Sequence, residues 1–293
     1  MEILNSTEIN INGVCLILGF FDGVHLGHQM VIHSATQMAK LNKTKTVLLT
    51  FKNSPSEYFN KSCEYIFPRA YSYKLIENLD VDYLIETDFS DWVNVSAINY
   101  LDEIVRKFEP ISISTGFNYT FGKNKQGNSK YLSENSKKYN YKYLESNAYI
   151  IDGEVVSSTL IKDCIHFGNI EKANKLLSCP FTITSKVTEG MKLARELGYP
   201  TANMNYPQNI VKLPYGVYKA EVYGKMAILN WGVKPTIGEK NEVLEFHILG
   251  FEDNLYGKTV SVNILEKIRD EKKFSNLDEL KKQIAKDIEK CSE

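Results

Sequence analysis

Through the N-terminal half of the chain, short apolar runs alternate with stretches of helical period. Val14 to Leu18 is continuously apolar and reads as a buried strand. Met30, Val31, Ala35 and Met38 then fall on one face of a helix from about Leu26 to Leu41. Thr46–Phe51 is β-rich, Tyr71–Leu79 can be helical, and Asp82–Glu86 is strand-like. Ile98, Leu101, Ile104, Val105 and Phe108 give Ser96–Phe108 a helical period that Pro110 ends, and Ile111–Ser114 reads as the next strand. This order predicts a parallel sheet with helices on its faces, whose ligand sits beyond the carboxyl ends of the strands. From about Cys179-Pro180 the period shortens. Phe181–Val187, Val217–Val222, Met226–Asn230, Val243–Leu249 and Val260–Leu265 are strand-like, and Leu277–Ile288 is a closing helix. The expected fold is an α/β domain over residues 1–180, followed by a compact antiparallel β-barrel domain over 181–293 with a terminal helix.

A chain of 293 residues has room for two such domains, and 43% hydrophobic with 24% charged residues is a globular balance. The formal net charge of −1 provides no general basic surface for nucleic acid. It still allows a local cationic pocket. The five cysteines are scattered, with no C-x-x-C, which fits reduced thiols in the cytosol. No charged-then-apolar leader opens the sequence and no apolar run reaches membrane-spanning length. A soluble, cytoplasmic protein is expected.

Candidate chemistry gathers where the first strand gives way to the first helix. Gly19-Phe20-Phe21-Asp22-Gly23-Val24-His25-Leu26-Gly27-His28 brings three glycines and two of the chain's five histidines to that junction. Glycine allows close backbone approach, and a helix start offers unpaired N–H groups and a positive dipole end. The junction therefore suits a phosphate. A tight turn alone would also use the glycines, and a metal pair ranks last because no third ligand stands at a familiar spacing.

Other stretches are plainer by themselves. Gly116-Phe117-Asn118-Tyr119-Thr120-Phe121-Gly122 and the lysines after it read as an exposed hairpin. Val156-Ser157-Ser158-Thr159-Leu160-Ile161-Lys162 leads into an amphipathic segment, with Ser157 or Ser158 as an N-cap. In Gly198-Tyr199-Pro200-Thr201-Ala202-Asn203, two side-chain oxygens stand one residue apart on a proline-stiffened backbone. They would suit Mg²⁺ beside a phosphate, or a turn with Asx-type hydrogen bonds. Glu245 alternates with Leu244, Phe246 and Ile248, so it faces away from them as a general base or as an exposed strand residue.

Taken in order, these segments resemble the motifs of the bacterial bifunctional riboflavin kinase/FMN adenylyltransferase (FAD synthetase) family over nearly the whole chain. G-F-F-D-G-V-H-L-G-H at 19–28 is similar to its G-x-F-D-G-x-H-x-G-H, G-F-N-Y-T-F-G at 116–122 to its G-x-D-F-x-F-G, and S-S-T-L-I-K at 157–162 to its S-S-T-x-I-R. In the second half, G-Y-P-T-A-N at 198–203, N-W-G-V-K-P-T at 230–236, L-E-F-H-I-L at 244–249, L-Y-G at 255–257 and R-D-E-K-K-F at 269–274 resemble the kinase signatures. Any one is weak; the ordered set is specific.

The resemblance implies two reactions in series and a Rossmann-like nucleotidyltransferase fold for the first domain. The C-terminal domain would move the γ-phosphate of ATP to riboflavin, and the N-terminal domain would join AMP to the resulting FMN, giving FAD and pyrophosphate. By resemblance, His25 and His28 serve catalysis by donating to phosphates. Asp22, Gly23, Asn118, Ser157, Thr159 and Lys162 bind the nucleotide with them. Glu245 is the catalytic base for the ribityl hydroxyl, Thr201 and Asn203 hold Mg²⁺, Gly190 and Gly216 line the kinase's nucleotide site, and Arg269 fixes the flavin-side loop. The implied partners are riboflavin, FMN and ATP, with no nucleic acid and no membrane. The alternatives are a riboflavin kinase with a weak adenylyltransferase half and a non-catalytic flavin-binding regulator. There is no G-x-x-x-x-G-K-[ST] P-loop.

The chain also departs from the pattern. Phe51-Lys52-Asn53-Ser54-Pro55 stands where the family often has F-x-P-H-P, Lys162 replaces an arginine, Asn118 an aspartate, and Ala194 a glycine. Lysine keeps the charge but loses the bidentate fork. More of these changes touch the adenylyltransferase half than the kinase half.

Overall fold

The computed structural model describes residues 1–5, 11–59, 62–188, 199–235 and 240–292. The chain forms two compact units, one comprising Met1–Glu64 with Pro68–Ser158 and the other Tyr65–Phe67 with Thr159–Glu293.

The first unit is built on six parallel strands: β1 (Glu2–Asn5), β2 (Cys15–Leu18), β3 (Thr46–Phe51), β4 (Tyr83–Thr87), β5 (Ser112–Gly116) and β8 (Lys142–Ser146). They lie in the order β1-β4-β3-β2-β5-β8. The chain leaves β2 toward β3 on one side and returns later as β5 on the other, so the topological switch lies beside β2. In open α/β sheets ligands bind at that point, beyond the carboxyl ends. The continuous apolar run at β2 follows from burial on both faces. Leu16, Leu18, Val47 and Ile113 pack with Leu101, Ile104 and Phe108 of α5 (Ala97–Phe108). On the opposite face Ile17, Leu48 and Leu84 pack with Val31, Ile32 and Ala35 of α1 (Leu26–Asn42) and Ile76 of α3 (Arg69–Glu77). Short helices α2 (Pro55–Tyr58) and α4 (Phe89–Trp92) follow β3 and β4. Small hairpins pair β6 (Thr120–Phe121) with β7 (Gly127–Asn128) and β9 (Ile150–Ile151) with β10 (Glu154–Val155), and α6 (Ser129–Asn135) precedes β8.

The second unit is a closed antiparallel barrel, as expected, but with six strands: β11 (Phe181–Thr188), β12 (Ala202–Met204), β13 (Gly216–Val222), β14 (Lys225–Pro235), β15 (Lys240–Ile248) and β16 (Thr259–Asp270). β12 is a correction: Pro200-Thr201-Ala202-Asn203 can read as a turn in the sequence, yet Ala202–Met204 pairs with both β11 and β15. Leu229, Trp231, Leu244, Phe246, Val262 and Ile264 are buried side chains of the barrel strands. Helices α7 (Ser158–His166) and α8 (Ile170–Leu177) precede the barrel, and α9 (Leu277–Ser292) closes the chain.

The division between the two compact units falls after Ser158. Polar bonds tie α8 to the barrel: Asn174 Nδ2 donates to Ile264 O at 2.9 Å, and Phe181 N donates to Asn174 Oδ1 at 2.7 Å. Tyr65–Phe67 joins the same unit: Tyr65 N donates to Asn209 O at 2.7 Å, Val211 N donates to Tyr65 O at 2.9 Å, and Phe67 stacks on Phe181.

Candidate active sites

At the end of β2 the backbone reverses through two left-handed residues, Gly23 (φ 80°) and Val24 (φ 47°). Glycine adopts this region freely, whereas a β-branched residue is strained there by about 1–3 kcal/mol, a cost that clusters at functional sites. Gln29 Nε2 holds the Val24 carbonyl at 2.9 Å, and Ser158 Oγ donates to the carbonyl of the buried Asp22 at 3.0 Å. His25 is the N-cap of α1, its Nδ1 accepting from His28 N at 3.3 Å. An accepting Nδ1 places the ring proton on Nε2, which is left to donate. The His28 ring stacks on His25 with centroids 3.7 Å apart and meets Phe21 edge-on at 5.1 Å. Gly27 makes room for this: a Cβ there would stand 3.2 Å from His25 Cε1.

Burial lowers the His25 pKa to about 4. Burial, and then the neighbouring His25, push His28 well below the usual imidazole range. Both rings are neutral donors near pH 7, and the attraction for an anion falls to the N–H groups and dipole of α1. Among the described residues, His28 Nδ1 is buried with no hydrogen-bond partner. An orphaned buried group costs about 1–3 kcal/mol, which a ligand oxygen or an ordered water would relieve.

Asn118 is exposed at the tip of a turn closed by Tyr119 N on Gly116 O at 3.1 Å. Below it the Tyr119 and Tyr100 hydroxyls meet at 3.0 Å, and Phe121 packs on Tyr100 and Tyr131. The expected exposed hairpin is present, as β6 and β7 with exposed Lys123 and Lys125 between them, and it is anchored beneath by these aromatic contacts. Ser157 is half-buried just before α7, and on that helix Thr159 is exposed and Lys162 half-buried.

A second surface in this unit escaped the sequence reading. Phe51, Tyr58, Phe59 and Phe89 form an edge-to-face cluster beyond the ends of β3 and β4, with Phe51–Phe89 at 5.2 Å and Tyr58–Phe89 at 5.5 Å. Tyr58 and Phe59 are 46% and 56% exposed, so their rings are open to a ligand. Ser54, where the family often has histidine, caps α2 through its side chain and Ser56 N at 3.2 Å. The signal available was the pair Tyr58-Phe59 after a strand, joined to Phe89 only through space.

On the barrel, register assembles the second constellation. Asn203 stands opposite Glu245, Glu245 opposite Asn230, Asn230 opposite Val217, and Val217 opposite Arg269. Directly opposed residues share a face. Leu244 and Phe246 are buried, so the half-buried Glu245 and its two asparagines look outward. Thr201 stands just before β12, two residues ahead of Asn203. The Pro200 carbonyl is bonded to His247 Nδ1 at 2.8 Å, and Tyr199 packs edge-on against that imidazole. Beside Thr201 opens a cavity of about 560 Å³, lined by Val187, Pro200, Ile248, Phe251 and Tyr256 among others.

Arg269 is engaged with α9: its Nε lies 3.0 Å and its Nη2 2.8 Å from Asp287 Oδ2. It therefore braces the start of the segment leading to the helix. Gly216 is explained by strand contact, since a Cβ there would collide with the Arg269 carbonyl. Gly190 lies outside the described residues. Among the described residues no cluster of three His, Cys, Asp or Glu could hold a metal. Thr201 and Asn203 instead supply neutral hard oxygens of the kind that share Mg²⁺ with substrate phosphates and water.

Family comparisons agree with this division. A family model described as FAD synthetase matches residues 8–160, and one described as riboflavin kinase matches residues 177–293. The bifunctional riboflavin kinase/FMN adenylyltransferase of Buchnera aphidicola subsp. Schizaphis graminum is 36% identical over 98% of this chain and 95% of the relative. Proteins of the same name from Haemophilus influenzae (34% identity, 98% of this chain and 96% of the relative) and Bacillus subtilis (32%, 93% and 89%) are also similar. A crystal structure described as a macrolide-efflux protein from Streptococcus pneumoniae superposes with a TM-score of 0.89 at 27% identity, covering 99% of this chain and 98% of that one. Efflux is the description of that protein; among the described residues here, no helix is long and apolar enough to cross a membrane. With both halves matched in order and relatives similar along nearly their full length, the chain belongs to the bifunctional riboflavin kinase/FMN adenylyltransferase family.

Proposed function

We propose that the outward row on the barrel carries the phosphorylation of riboflavin and that the cradle after β2 holds ATP for adenylylation of FMN. The observation that carries the first assignment is the placement of Glu245 between Asn203 and Asn230 on one outward face. A primary hydroxyl does not ionise in advance, so the base must take its proton as the oxygen attacks. Glu245 accepts that proton, the ribityl 5′-oxygen bonds to the γ-phosphorus of ATP, and ADP leaves. Thr201 and Asn203 would hold Mg²⁺, which supplies neutralisation of phosphate charge when bound. The cavity beside Thr201, which Phe246 and Ile248 line from the inward side of β15, has apolar walls for a nucleotide base.

In the sheet-bearing unit no protein nucleophile is needed, because an FMN phosphate oxygen attacks the α-phosphorus of ATP and pyrophosphate leaves. The protein orients the two and stabilises charge through donors that are already in place. His25 Nε2–H, His28 and the N-terminus of α1 are those donors, with Asp22 and Gly23 shaping the turn. Asn118 and Ser157 add nucleotide contacts. The exposed rings of Tyr58 and Phe59 stand perpendicular to each other, so one of them offers its face to a planar flavin while the other meets it edge-on. The five free cysteines and the need for ATP favour action in the cytoplasm.

The test incubates the full chain with riboflavin, ATP and Mg²⁺ and separates the flavins by chromatography. FMN and FAD should both form. Glu245→Gln should leave riboflavin unphosphorylated while FAD still forms from supplied FMN. Riboflavin phosphorylation near the wild-type rate in that variant would remove Glu245 as the base.

A further inference from the structure

The ladder that sets Asn203 opposite Glu245 ends one residue short of Thr201. β12 pairs with β15 at Met204–Leu244, Asn203–Glu245 and Ala202–Phe246, which leaves Thr201 outside the paired register. β15 itself runs on to Ile248, with His247 opposite Ile228 and Ile248 opposite Ala227 of β14. Ahead of Thr201 stands Pro200, which has no N–H and offers a ladder only its carbonyl.

A side chain takes over where the backbone pairing stops. His247 Nδ1 lies 2.8 Å from the Pro200 carbonyl oxygen. A carbonyl only accepts, so Nδ1 carries the proton and donates it. Tyr199 meets the same imidazole edge-on, with ring centres 5.8 Å apart, so His247 touches both residues that precede Thr201. Glu245 and His247 are two apart on β15 and share its outward face, away from the buried Leu244, Phe246 and Ile248. One strand thus carries the proposed base and the group that fixes the approach to Thr201.

The tautomer decides what part His247 plays. With the proton on Nδ1, the neutral ring presents only a lone pair at Nε2. A lone pair repels phosphate oxygens, and Mg²⁺ takes oxygen ligands in place of imidazole, so the ring is not arranged to grip either directly. Mg²⁺ also demands near-ideal octahedral geometry at short metal–oxygen distances. A backbone that presents a hydroxyl to it has to be held, and the ladder holds Asn203 but stops before Thr201.

We propose that His247 is a positioning residue for magnesium in riboflavin phosphorylation: its Nδ1–H on the Pro200 carbonyl sets the backbone of Thr201 where the β12–β15 ladder has ended. The proposal rests on the reading of Thr201 and Asn203 as the residues that hold the ion.

The test measures initial rates of FMN formation in the full chain, varying Mg·ATP and riboflavin separately, for His247→Phe and His247→Asn. Phenylalanine keeps a ring against Tyr199 and loses the donor, whereas asparagine puts an amide N–H at the place of Nδ1. His247→Phe should raise the Mg·ATP KM about fivefold, the size of effect expected for one hydrogen bond, with the riboflavin KM and kcat near wild type. His247→Asn should stay within about twofold of wild type. Calorimetric titration with ADP, with and without Mg²⁺, gives a readout apart from turnover. It is made on the His28→Asn protein, whose cradle is impaired on the proposed assignment. Adding His247→Phe there should weaken Mg·ADP about fivefold and leave metal-free ADP unchanged. An unchanged Mg·ATP KM, an asparagine variant as impaired as phenylalanine, or equal weakening of ADP with and without the metal would overturn the proposal. Thr201→Ala separates its failure from that of the parent reading. If that variant keeps the full gain in ADP affinity that Mg²⁺ confers, the reading of Thr201 falls; if it loses the gain and His247→Phe keeps it, only the positioning role does.

Discussion

The histidines of the cradle show how one residue's burial sets both its chemistry and its acid sensitivity. His25 is held neutral, its pKa lowered from 6.5 to about 4 by desolvation. Between those values the unfolded chain binds more protons than the folded one, so stability rises with pH through the window and is lost as acid is added. The contribution is fully present above the unfolded value and amounts to a loss on the order of 3 kcal/mol once the ring protonates in the fold. Urea midpoints measured from about pH 7 down to about pH 4 should fall for the wild type and fall less steeply for His25→Gln. Equal slopes would mean that some other group is responsible. The motif made these two residues conspicuous in the sequence. Their neutrality was not legible there, because it comes from Phe21, the ring stack and the closing of α1 on the sheet.

At the scale of elements, legibility follows periodicity. β2 and β3 are buried on both faces and α1 and α5 carry one apolar stripe each, so their patterns are local and strong. The barrel strands are longer than their apolar cores: β14 runs to Pro235 and β16 to Asp270, continued by backbone pairing beyond the apolar alternation. β12 has only three residues and is a strand because β11 and β15 pair with it, a condition invisible in Ala-Asn-Met. The same holds for Tyr65–Phe67, whose partners lie far along the chain. The docking of α9 is another nonlocal event, since Arg269 and the buried Asp287 meet only in the fold. Asp287→Ala leaves the guanidinium without its carboxylate. With Arg269 partly open to solvent, the expected loss is about 2–3 kcal/mol, toward the low end for breaking a buried pair. Denaturant unfolding followed by fluorescence in a Trp92→Phe background, which leaves Trp231 of the barrel, should report that shift. Riboflavin phosphorylation should weaken with it, because Arg269 roots the segment that carries Phe274. An unshifted midpoint would show that the pair contributes no net stability.

For the whole molecule, the central question is whether FMN must pass between the two sites of one chain. The cradle draws on β2, α1 and the start of α7, and the outward row on β12, β14 and β15. Each belongs to a unit with its own buried residues, and no residue assigned to proton transfer in one site is assigned to phosphate binding in the other. Two reactions so divided require only that FMN reach the second site, by release or by transfer. Complementation decides between these. On the proposed assignments, Glu245→Gln removes the kinase base and leaves the cradle, while His28→Asn impairs the cradle and leaves the kinase. Each variant alone should fail to convert riboflavin to FAD, the second stopping at FMN. An equimolar mixture should make FAD after a lag in which free FMN accumulates, and added unlabelled FMN should dilute label arriving from riboflavin. If the mixture forms no FAD while each variant keeps its remaining activity, FMN is delivered within a single chain, and the two units must cooperate in a way their separate architectures do not require.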